Sequence, residues 1–378
     1  MKLSWLKNFR LDSLYNLLMP FLAAVAALAV GAIMLVLLKV NPVEAYSALW
    51  DGAFGSKNAL ADTVVKATPL LLVGTGICVA FRGGVINIGG EGQLVVGALS
   101  ATLVGLSFPD ASGWLIIPLA LLAGFAGGAI WGGIPGLLKA YFNVNEILST
   151  IMMNQIAVQG MNFLLRGAMI DPVQLENASK IPQTARLSRL FDLPRLVPTR
   201  LHLGSAIAVL VAILIFIFLW RTITGYRIRA VGLNPAASRY AGIPVRRYVV
   251  LALLLSGALA GLAGAVQVYG VNHRMFTDGS ATGFTGSAGF NGIVAALFGQ
   301  LHPVGTIPAA FLFGALLVGA NAMQRAVQVP SALITALNGL LVVFVVSTDL
   351  WRRRLQRRQV SEAIRQEARE VKEVKAAS

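Results

Sequence analysis

A polar, glycine-dense segment interrupts the apolar chain between residues 81 and 93, with the sequence Phe-Arg-Gly-Gly-Val-Ile-Asn-Ile-Gly-Gly-Glu-Gly-Gln. Glycine lets a backbone approach another backbone or a ligand closely, and a glycine-rich run disfavours a continuous helix. Asn87, Glu91 and Gln93 add polar groups that need hydrogen-bond partners in apolar surroundings. Two interpretations are open: a tight turn in which Glu91 caps the following helix, or part of a pathway for a polar solute.

A second segment, residues 225–244, reads Gly-Tyr-Arg-Ile-Arg-Ala-Val-Gly-Leu-Asn-Pro-Ala-Ala-Ser-Arg-Tyr-Ala-Gly-Ile-Pro. It contains the start and stop signals of a short helix from Asn234 to Ala241. Asn234 is a favourable N-cap, Pro235 suits the first helical position, and Gly242 suits the residue after the end. We expect this helix to dock in a groove of a partner protein; the alternative is an ordinary basic loop.

Motifs of common catalytic sites are absent from the sequence. There is no Gly-Lys dipeptide, and therefore no Walker phosphate loop, and neither Gly-x-Ser-x-Gly nor His-Glu-x-x-His occurs. The histidines His202, His273 and His302 lack a metal-binding spacing, and Cys78 is the only cysteine. We therefore expect no enzymatic activity, no cofactor and no metal site.

The composition indicates a membrane protein. Hydrophobic residues make up 56% of the 378 positions and charged residues only 12%. Several apolar runs have the length of roughly 20 residues that a helix needs to cross a bilayer, and they lack the alternation of a transmembrane barrel. We predict an all-α, polytopic transmembrane helical bundle. The net charge of +15 comes mainly from basic residues in loops and at both ends of the chain. This placement indicates residues that hold loops on the cytoplasmic side rather than a nucleic-acid-binding surface.

We predict a transmembrane domain over residues 1–350 with about ten spans, followed by a basic cytoplasmic tail over residues 351–378. Phe290–Leu301 is too short to cross a bilayer alone, so we expect a half-helix or a re-entrant segment there. The ten segments are Leu17–Val40, Asp62–Phe81, Ile86–Leu106, Trp114–Leu138, Glu146–Leu165, Leu203–Trp220, Val249–Gly270, Phe290–Leu301, Thr306–Met323 and Ser331–Leu350.

The distribution of charge predicts an orientation. An even number of spans places both termini on one side, and the basic loop over 221–248 and the basic tail place that side in the cytoplasm. The loop over 166–202 then lies on the opposite side although it is basic. This is acceptable because the positive-inside rule is weaker for long loops. Glu91 and Glu146 are expected at cytoplasmic ends of helices, and the scarcity of acidic residues within spans counts against an ion-coupled carrier.

Glycines recur at intervals of four residues in two of the predicted spans. Such spacing lets the backbones of membrane helices approach closely, so we expect these positions to pack helix against helix rather than to bind a solute. They are Gly124, Gly128, Gly132 and Gly136 in one span, and Gly257 and Gly261 in another.

Four ordered segments resemble a known family. The sequence Arg-Ala-Val-Gly-Leu-Asn-Pro-Ala-Ala-Ser-Arg-Tyr-Ala-Gly-Ile within 225–244 is similar to the coupling loop of bacterial ABC importer permeases of the ribose, branched-chain amino acid and nucleoside branch. Segments 87–93, Asn-Ile-Gly-Gly-Glu-Gly-Gln, and 143–154, Asn-Val-Asn-Glu-Ile-Leu-Ser-Thr-Ile-Met-Met-Asn, resemble its nucleoside and simple-sugar members most. A further match is Gly-Phe-Asn-Gly-Ile-Val-Ala-Ala-Leu-Phe-Gly over 289–299.

The resemblance implies a divided machine in the bacterial inner membrane. Two permease subunits, identical or related, would surround a central pathway, and an extracytoplasmic binding protein would deliver the solute. A separate cytoplasmic ATP-binding cassette ATPase would contact the loop and move it as a rigid body. The residues expected to couple the two are Arg229, Gly232, Asn234, Pro235, Ala237, Tyr240 and Gly242.

The expected solute is a nucleoside or a simple sugar, since amides and an aromatic ring bind neutral solutes without a buried charge. The alternatives are a branched-chain amino acid importer permease and, from another class, an ion-coupled secondary carrier; an intramembrane enzyme or a scaffold lacks any supporting constellation. The residues expected to line the substrate pathway are Asn87, Glu91, Gln93, Asn145, Asn154, Gln155, Phe290 and Asn291.

Overall fold

The computed structural model describes residues 25–173 and 181–330, together with positions 336, 339, 340, 343, 344 and 347. The predicted tail over 351–378, most of the predicted span Ser331–Leu350 and the first part of the span Leu17–Val40 lie outside the described residues. The chain divides into two compact units, Ser47–Met323 on the one hand and Met1–Tyr46 with Gln324–Ser378 on the other. In the second of these units the Tyr46 hydroxyl donates to the Leu28 carbonyl.

The described residues are helical, with isolated bridges and no strand among them, which confirms the predicted all-α class. Five helices are long and apolar enough to cross a membrane, namely α3, α5, α7, α10 and α13 as defined next. The helices are α1 Val25–Leu37, α2 Pro42–Phe54, α3 Lys57–Arg82, α4 Gly90–Ser107, α5 Gly113–Phe142, α6 Glu146–Arg166, α7 Leu203–Arg221, α8 Ile223–Leu233, α9 Pro235–Tyr240, α10 Val245–Gln267 with a π-turn at Val268–Asn272, α11 Ala281–Thr285, α12 Ala288–Phe298 and α13 Pro303–Val327.

Local sequence signals set several helix ends. α3 begins after Ser56, whose hydroxyl accepts a hydrogen bond from the Ala59 N–H at 3.0 Å. α5 ends at Asn143, which adopts the left-handed conformation with a φ of 54°. Two residues later Asn145 begins α6 by accepting from the Ile147 and Leu148 N–H groups. The two asparagines therefore define the short connection between α5 and α6.

The glycine ridges pack α5 against α10, as their spacing predicts. A Cβ atom on Gly128 would lie 2.2 Å from the Gly257 carbonyl oxygen, and one on Gly261 would lie 2.2 Å from the Gly124 carbonyl oxygen. Gly97 of α4 approaches Gly261 equally closely. Backbones thus touch backbones where three helices meet, and these positions admit no side chain.

Two helices begin inside the bundle instead of at its edge. Gly90, the first residue of α4, lies against Val73, nine residues before the end of α3 and therefore roughly 13 Å along its axis from Arg82. α12 has only 11 residues, in agreement with the predicted short segment. α4 begins at Gly90, four residues after the predicted start at Ile86, because residues 83–89 first run back along α3 without helix.

Candidate functional site

The N-termini of α4 and α12 face each other inside the bundle, and the Glu91 carboxylate joins them. Glu91 lies in the first turn of α4 and is 2% exposed. Its Oε2 accepts a hydrogen bond from the Gly289 N–H at 2.8 Å, and its Oε1 accepts one from the Thr285 hydroxyl. Ser287, the N-cap residue of α12, makes no side-chain capping bond, so the carboxylate of another helix caps α12.

A buried amide network holds the non-helical segment in front of α4. The Asn87 amide nitrogen donates to Gln93 Oε1 at 2.9 Å and to the Ser256 hydroxyl at 2.8 Å, and the Asn87 Oδ1 accepts from the Gly89 N–H at 2.8 Å. These side chains are at most 1% exposed. Backbone without helix at membrane depth survives only where such partners satisfy it, so the network explains why the segment is stable.

The same segment is bound from its other side by α6. The Asn154 Oδ1 accepts from the Gly92 N–H at 2.8 Å, and its Nδ2 donates to the Ile88 carbonyl at 3.0 Å. A Cβ atom on Gly92 would lie only 2.8 Å from the Asn154 Cα atom. The glycine at 92 therefore lets the amide side chain reach the backbone of the first turn of α4.

The eight residues predicted to line a pathway fall into groups. Asn87, Glu91, Gln93 and Asn154 come together in the buried network, where other groups of the chain bind them. The others are placed elsewhere: Asn145 caps α6, Gln155 and Phe290 are exposed, and Asn291 is half-buried. Sequence reasoning missed Thr285 and Ser256, since hydroxyl groups are common in membrane helices and carry little signal.

The exposed face of α6 carries two amide side chains among apolar ones. Gln155 and Gln159, four residues apart, are both exposed. The neighbouring Ile156 and Phe163 are 55% and 78% exposed. An amide in contact with lipid would leave its hydrogen-bonding groups unsatisfied. This face is therefore suited to contact a second protein subunit or an aqueous path.

The short helix predicted in the second segment is present as α9. Asn234 is its N-cap and accepts from the Ala237 N–H at 3.0 Å, Pro235 is its first residue, and Gly242 follows it with a φ of 75°. Leu233 and Tyr240, at either end, are 88% and 96% exposed. Large apolar side chains therefore lie exposed on both sides of this short helix.

The predicted coupling residues Gly232 and Arg229 contact their own chain. A Cβ atom on Gly232 would lie 2.1 Å from the Arg82 carbonyl oxygen and 2.7 Å from the Gly84 nitrogen. The Arg229 Nε donates to the Leu219 carbonyl at 2.9 Å, and its guanidinium lies over the Trp220 ring. The end of α8 is thus packed against the start of the segment that leads to Glu91.

Comparison with known proteins decides the family. The model of the family described as branched-chain amino acid transport system / permease component matches residues 59–346. The chain belongs to this family. It is a transport component and a multi-pass integral membrane protein, in agreement with its apolar helices.

Three relatives match the permease over most of its length. The guanosine ABC transporter permease protein of Bacillus subtilis is 38% identical over 89% of this chain and 94% of its own. The glucose ABC transporter permease protein of Haloferax volcanii is 33% identical over 88% of each chain. The nucleoside ABC transporter permease protein of Lactococcus lactis is 32% identical over 87% of this chain and 90% of its own.

At the other end of α7 from α8, the segment 181–202 of the permease packs on residues 268–277. The Thr184 and Leu187 N–H groups donate to the Met275 and His273 carbonyls, each at 2.9 Å. His273 Nδ1 also lies 2.7 Å from an Asp192 carboxylate oxygen. The segment is therefore a folded cover on this end of the bundle rather than a loose loop.

His202 ends this segment in a buried place. It is 1% exposed, and neither ring nitrogen has a hydrogen-bond partner among the residues that the structure describes. Burial, and then the neighbouring His273, lower the pKa of His202 from 6.5 to about 4. The pKa of His273 is also lowered by burial, against the opposing effect of Asp192. His202 is therefore neutral near pH 7 and contributes packing.

Proposed function

We propose that the permease forms the translocation pathway of an ATP-driven importer for a nucleoside. The observation that carries this proposal is the 38% identity to a guanosine permease over 89% of the chain, supported by the nucleoside relative at 32%. Amide groups, hydroxyl groups and an aromatic ring in the described helices suit a neutral solute of this kind. The ATPase, a second permease and an extracytoplasmic binding protein would be separate chains.

The ATPase docks on α9 in this proposal, and the α9 end of the bundle faces the cytoplasm. Leu233 and Tyr240 offer apolar anchors, since both are almost fully exposed. Gly232 transmits the displacement, because it contacts the backbone of Arg82 and Gly84 within the same chain. From there the non-helical segment leads to Glu91 and the junction of the two half-helices, which would move as a unit.

The pathway itself follows exposed groups of α6 and α12 rather than the buried network. Gln155, Phe290 and Asn291 would contact the solute or the second permease subunit, and Gln159 extends the same face of α6. The buried residues Asn87, Glu91, Gln93 and Asn154 would shape the pathway by fixing where α4 and α12 begin. This division follows from burial, since a fully buried and bonded amide has no free group for a solute.

Two other solutes are supported by particular comparisons. A simple sugar is supported by the relative named as a glucose permease, at 33% identity. A branched-chain amino acid is supported by the description of the family as a whole. An amino acid is zwitterionic, so its site would need a partner for each of its two charges.

Transport assays in proteoliposomes test the proposal. The permease is reconstituted with its ATPase and binding protein, and uptake of labelled guanosine, glucose and leucine is measured with ATP and with a hydrolysis-deficient ATPase as the control. We expect guanosine uptake that requires ATP hydrolysis. If glucose or leucine is taken up and guanosine is not, the proposed solute is wrong. If an ion gradient drives uptake without the ATPase, the proposed mechanism is wrong.

A further inference from the structure

Lys66 is a charged side chain within a membrane helix. It lies in α3, whose apolar stretch is long enough to cross a bilayer, and between residues 63 and 81 it is the only charged residue. An ionisable group at this depth is unfavourable in lipid and therefore faces protein or water. In soluble and membrane proteins alike such a group is retained where it contacts a partner or a ligand.

The amino group of Lys66 lies at the turn between α11 and α12. A Cβ atom on Gly286 would lie 2.6 Å from the Lys66 Nζ, and Gly286 itself has a φ of 60°. Thr285 and Gly289, on either side of this glycine, both donate to the carboxylate of Glu91. The two ionisable groups thus approach one turn, the carboxylate from α4 and the amine from α3.

No carboxylate pairs with Lys66 among the residues that the structure describes. The Glu91 carboxylate accepts from Thr285 and from the start of α12 instead. Asp62 lies one turn away on the same face of α3, but its nearest cation is Arg200, at 3.8 Å. Lys66 as a whole is half-buried, so it is not sealed inside the bundle.

The residues that follow Gly286 in the chain carry groups that suit a nucleobase. Ser287 is half-buried beside Gly286, and Phe290, in the first turn of α12, is 44% exposed. An exposed aromatic ring at membrane depth offers a stacking face for a planar base. A lysine amine only donates hydrogen bonds, and it matches the O6 and N7 acceptors of a 6-oxopurine.

We propose that Lys66 is a specificity-determining residue of the pathway, donating to the acceptor edge of a 6-oxopurine nucleoside. The proposal rests on the proposed function and narrows its solute class. It also predicts that cationic solutes are excluded at this point, because the ammonium group would repel them.

A purely structural role makes a different prediction. Lys66 lies near the C-terminus of α11, where a cation is favourable, so its loss could loosen the turn without touching the solute. That role would lower uptake of every nucleoside by the same factor. A solute contact would lower uptake only of those that carry the acceptor, so the selectivity between two solutes distinguishes the roles.

Selectivity is measured as the ratio of kcat/KM for guanosine and 2-aminopurine riboside, which lacks the oxygen at position 6. The variants are Lys66→Met and Lys66→Ala, with Lys66→Arg as the conservative change and Lys57→Met, exposed at the start of α3, as the matched control. We expect wild type and Lys57→Met to prefer guanosine about tenfold, Lys66→Met to lose this preference, and Lys66→Arg to keep most of it.

The outcomes separate the inference from the proposed function. An unchanged ratio in Lys66→Met, with or without a general loss of uptake, overturns the inference while ATP-driven guanosine uptake by wild type upholds the function. Absence of guanosine uptake by wild type overturns both. If Lys66→Met fails to assemble, the ratio in Lys66→Ala decides in the same way, since its side chain also lacks a hydrogen-bond donor.

Discussion

Segments 83–93 and 225–244 both interrupt an apolar chain with glycine and polar residues. They differ in whether their side chains are buried and bonded within the chain or exposed. In the first, Asn87, Glu91 and Gln93 are at most 2% exposed and bind other groups of the same chain. In the second, Leu233 and Tyr240 are at least 88% exposed. The first segment completes the bundle from within, and the second leaves large apolar side chains exposed, where we propose that the ATPase docks.

The difference shows why a polar motif in a membrane protein is not by itself a binding site. Polar groups that the chain satisfies internally stabilise an irregular backbone, here the interruption before α4. Apolar groups that the chain leaves exposed outside the apolar helices indicate a partner. Gly232 connects the two segments, since it lies in the second and contacts the backbone that opens the first.

The largest expected effect is at Glu91. Glu91→Ala removes the acceptor for Gly289 and Thr285 and should lower the free energy of unfolding by roughly 3 kcal/mol. Thermal unfolding in detergent measures it. Glu146→Ala is the control, because Glu146 is also in the first turn of a helix but pairs with a partly exposed Lys139. Equal losses in the two variants would contradict the capping role.

A smaller loss is expected at Gly232. Gly232→Val places side-chain atoms against the backbone of Arg82 and Gly84 and should cost about 2 kcal/mol of stability. The exposed Ala236→Val is the control and should leave the melting temperature unchanged. If Gly232→Val melts like wild type but loses ATPase binding, Gly232 belongs to the interface and not to the internal packing.

At Tyr240 we expect a change in association without a change in folding. Tyr240→Ala removes a ring that is 96% exposed, so the melting temperature should stay constant while affinity for the ATPase falls about tenfold. Binding of the purified ATPase to permease in nanodiscs measures this affinity. Tyr226→Ala, on α8 and 60% exposed, is the matched control. A similar loss there would extend the docking surface beyond α9.

His202 has the smallest effect at neutral pH, and it sharpens the comparison because it is buried without the partners that Glu91 has. Its native pKa of about 4 lies below the ordinary 6.5, so the unfolded segment binds more protons between these values. The stability of the 181–202 segment should therefore fall as pH decreases from 6.5 towards 4. Hydrogen exchange of the Leu187 amide measures this stability. In His202→Phe the loss of stability in acid should shrink. If the pH dependence is unchanged in that variant, it arises from His273 instead.

Much of the fold follows from the sequence. Apolar length determined the membrane helices, glycine spacing determined the contact of α5 with α10, and the Asn-Pro and Ala-Gly pairs around 234–242 determined α9 almost to the residue. These signals are local, because they depend on bilayer thickness, backbone sterics and helix capping, none of which needs a distant partner.

Tertiary structure alone decided which polar residues are buried together. All the predicted pathway residues except Phe290 are polar, but only the packing of α3, α6, α10 and α12 around residues 83–92 separates bonded amides such as Asn154 from exposed ones such as Gln155. It also decided that Glu91 caps a helix almost 200 residues away and that Lys66 reaches the same turn. Hydrogen-bond partners that distant in sequence leave no local pattern, because each depends on where another helix begins.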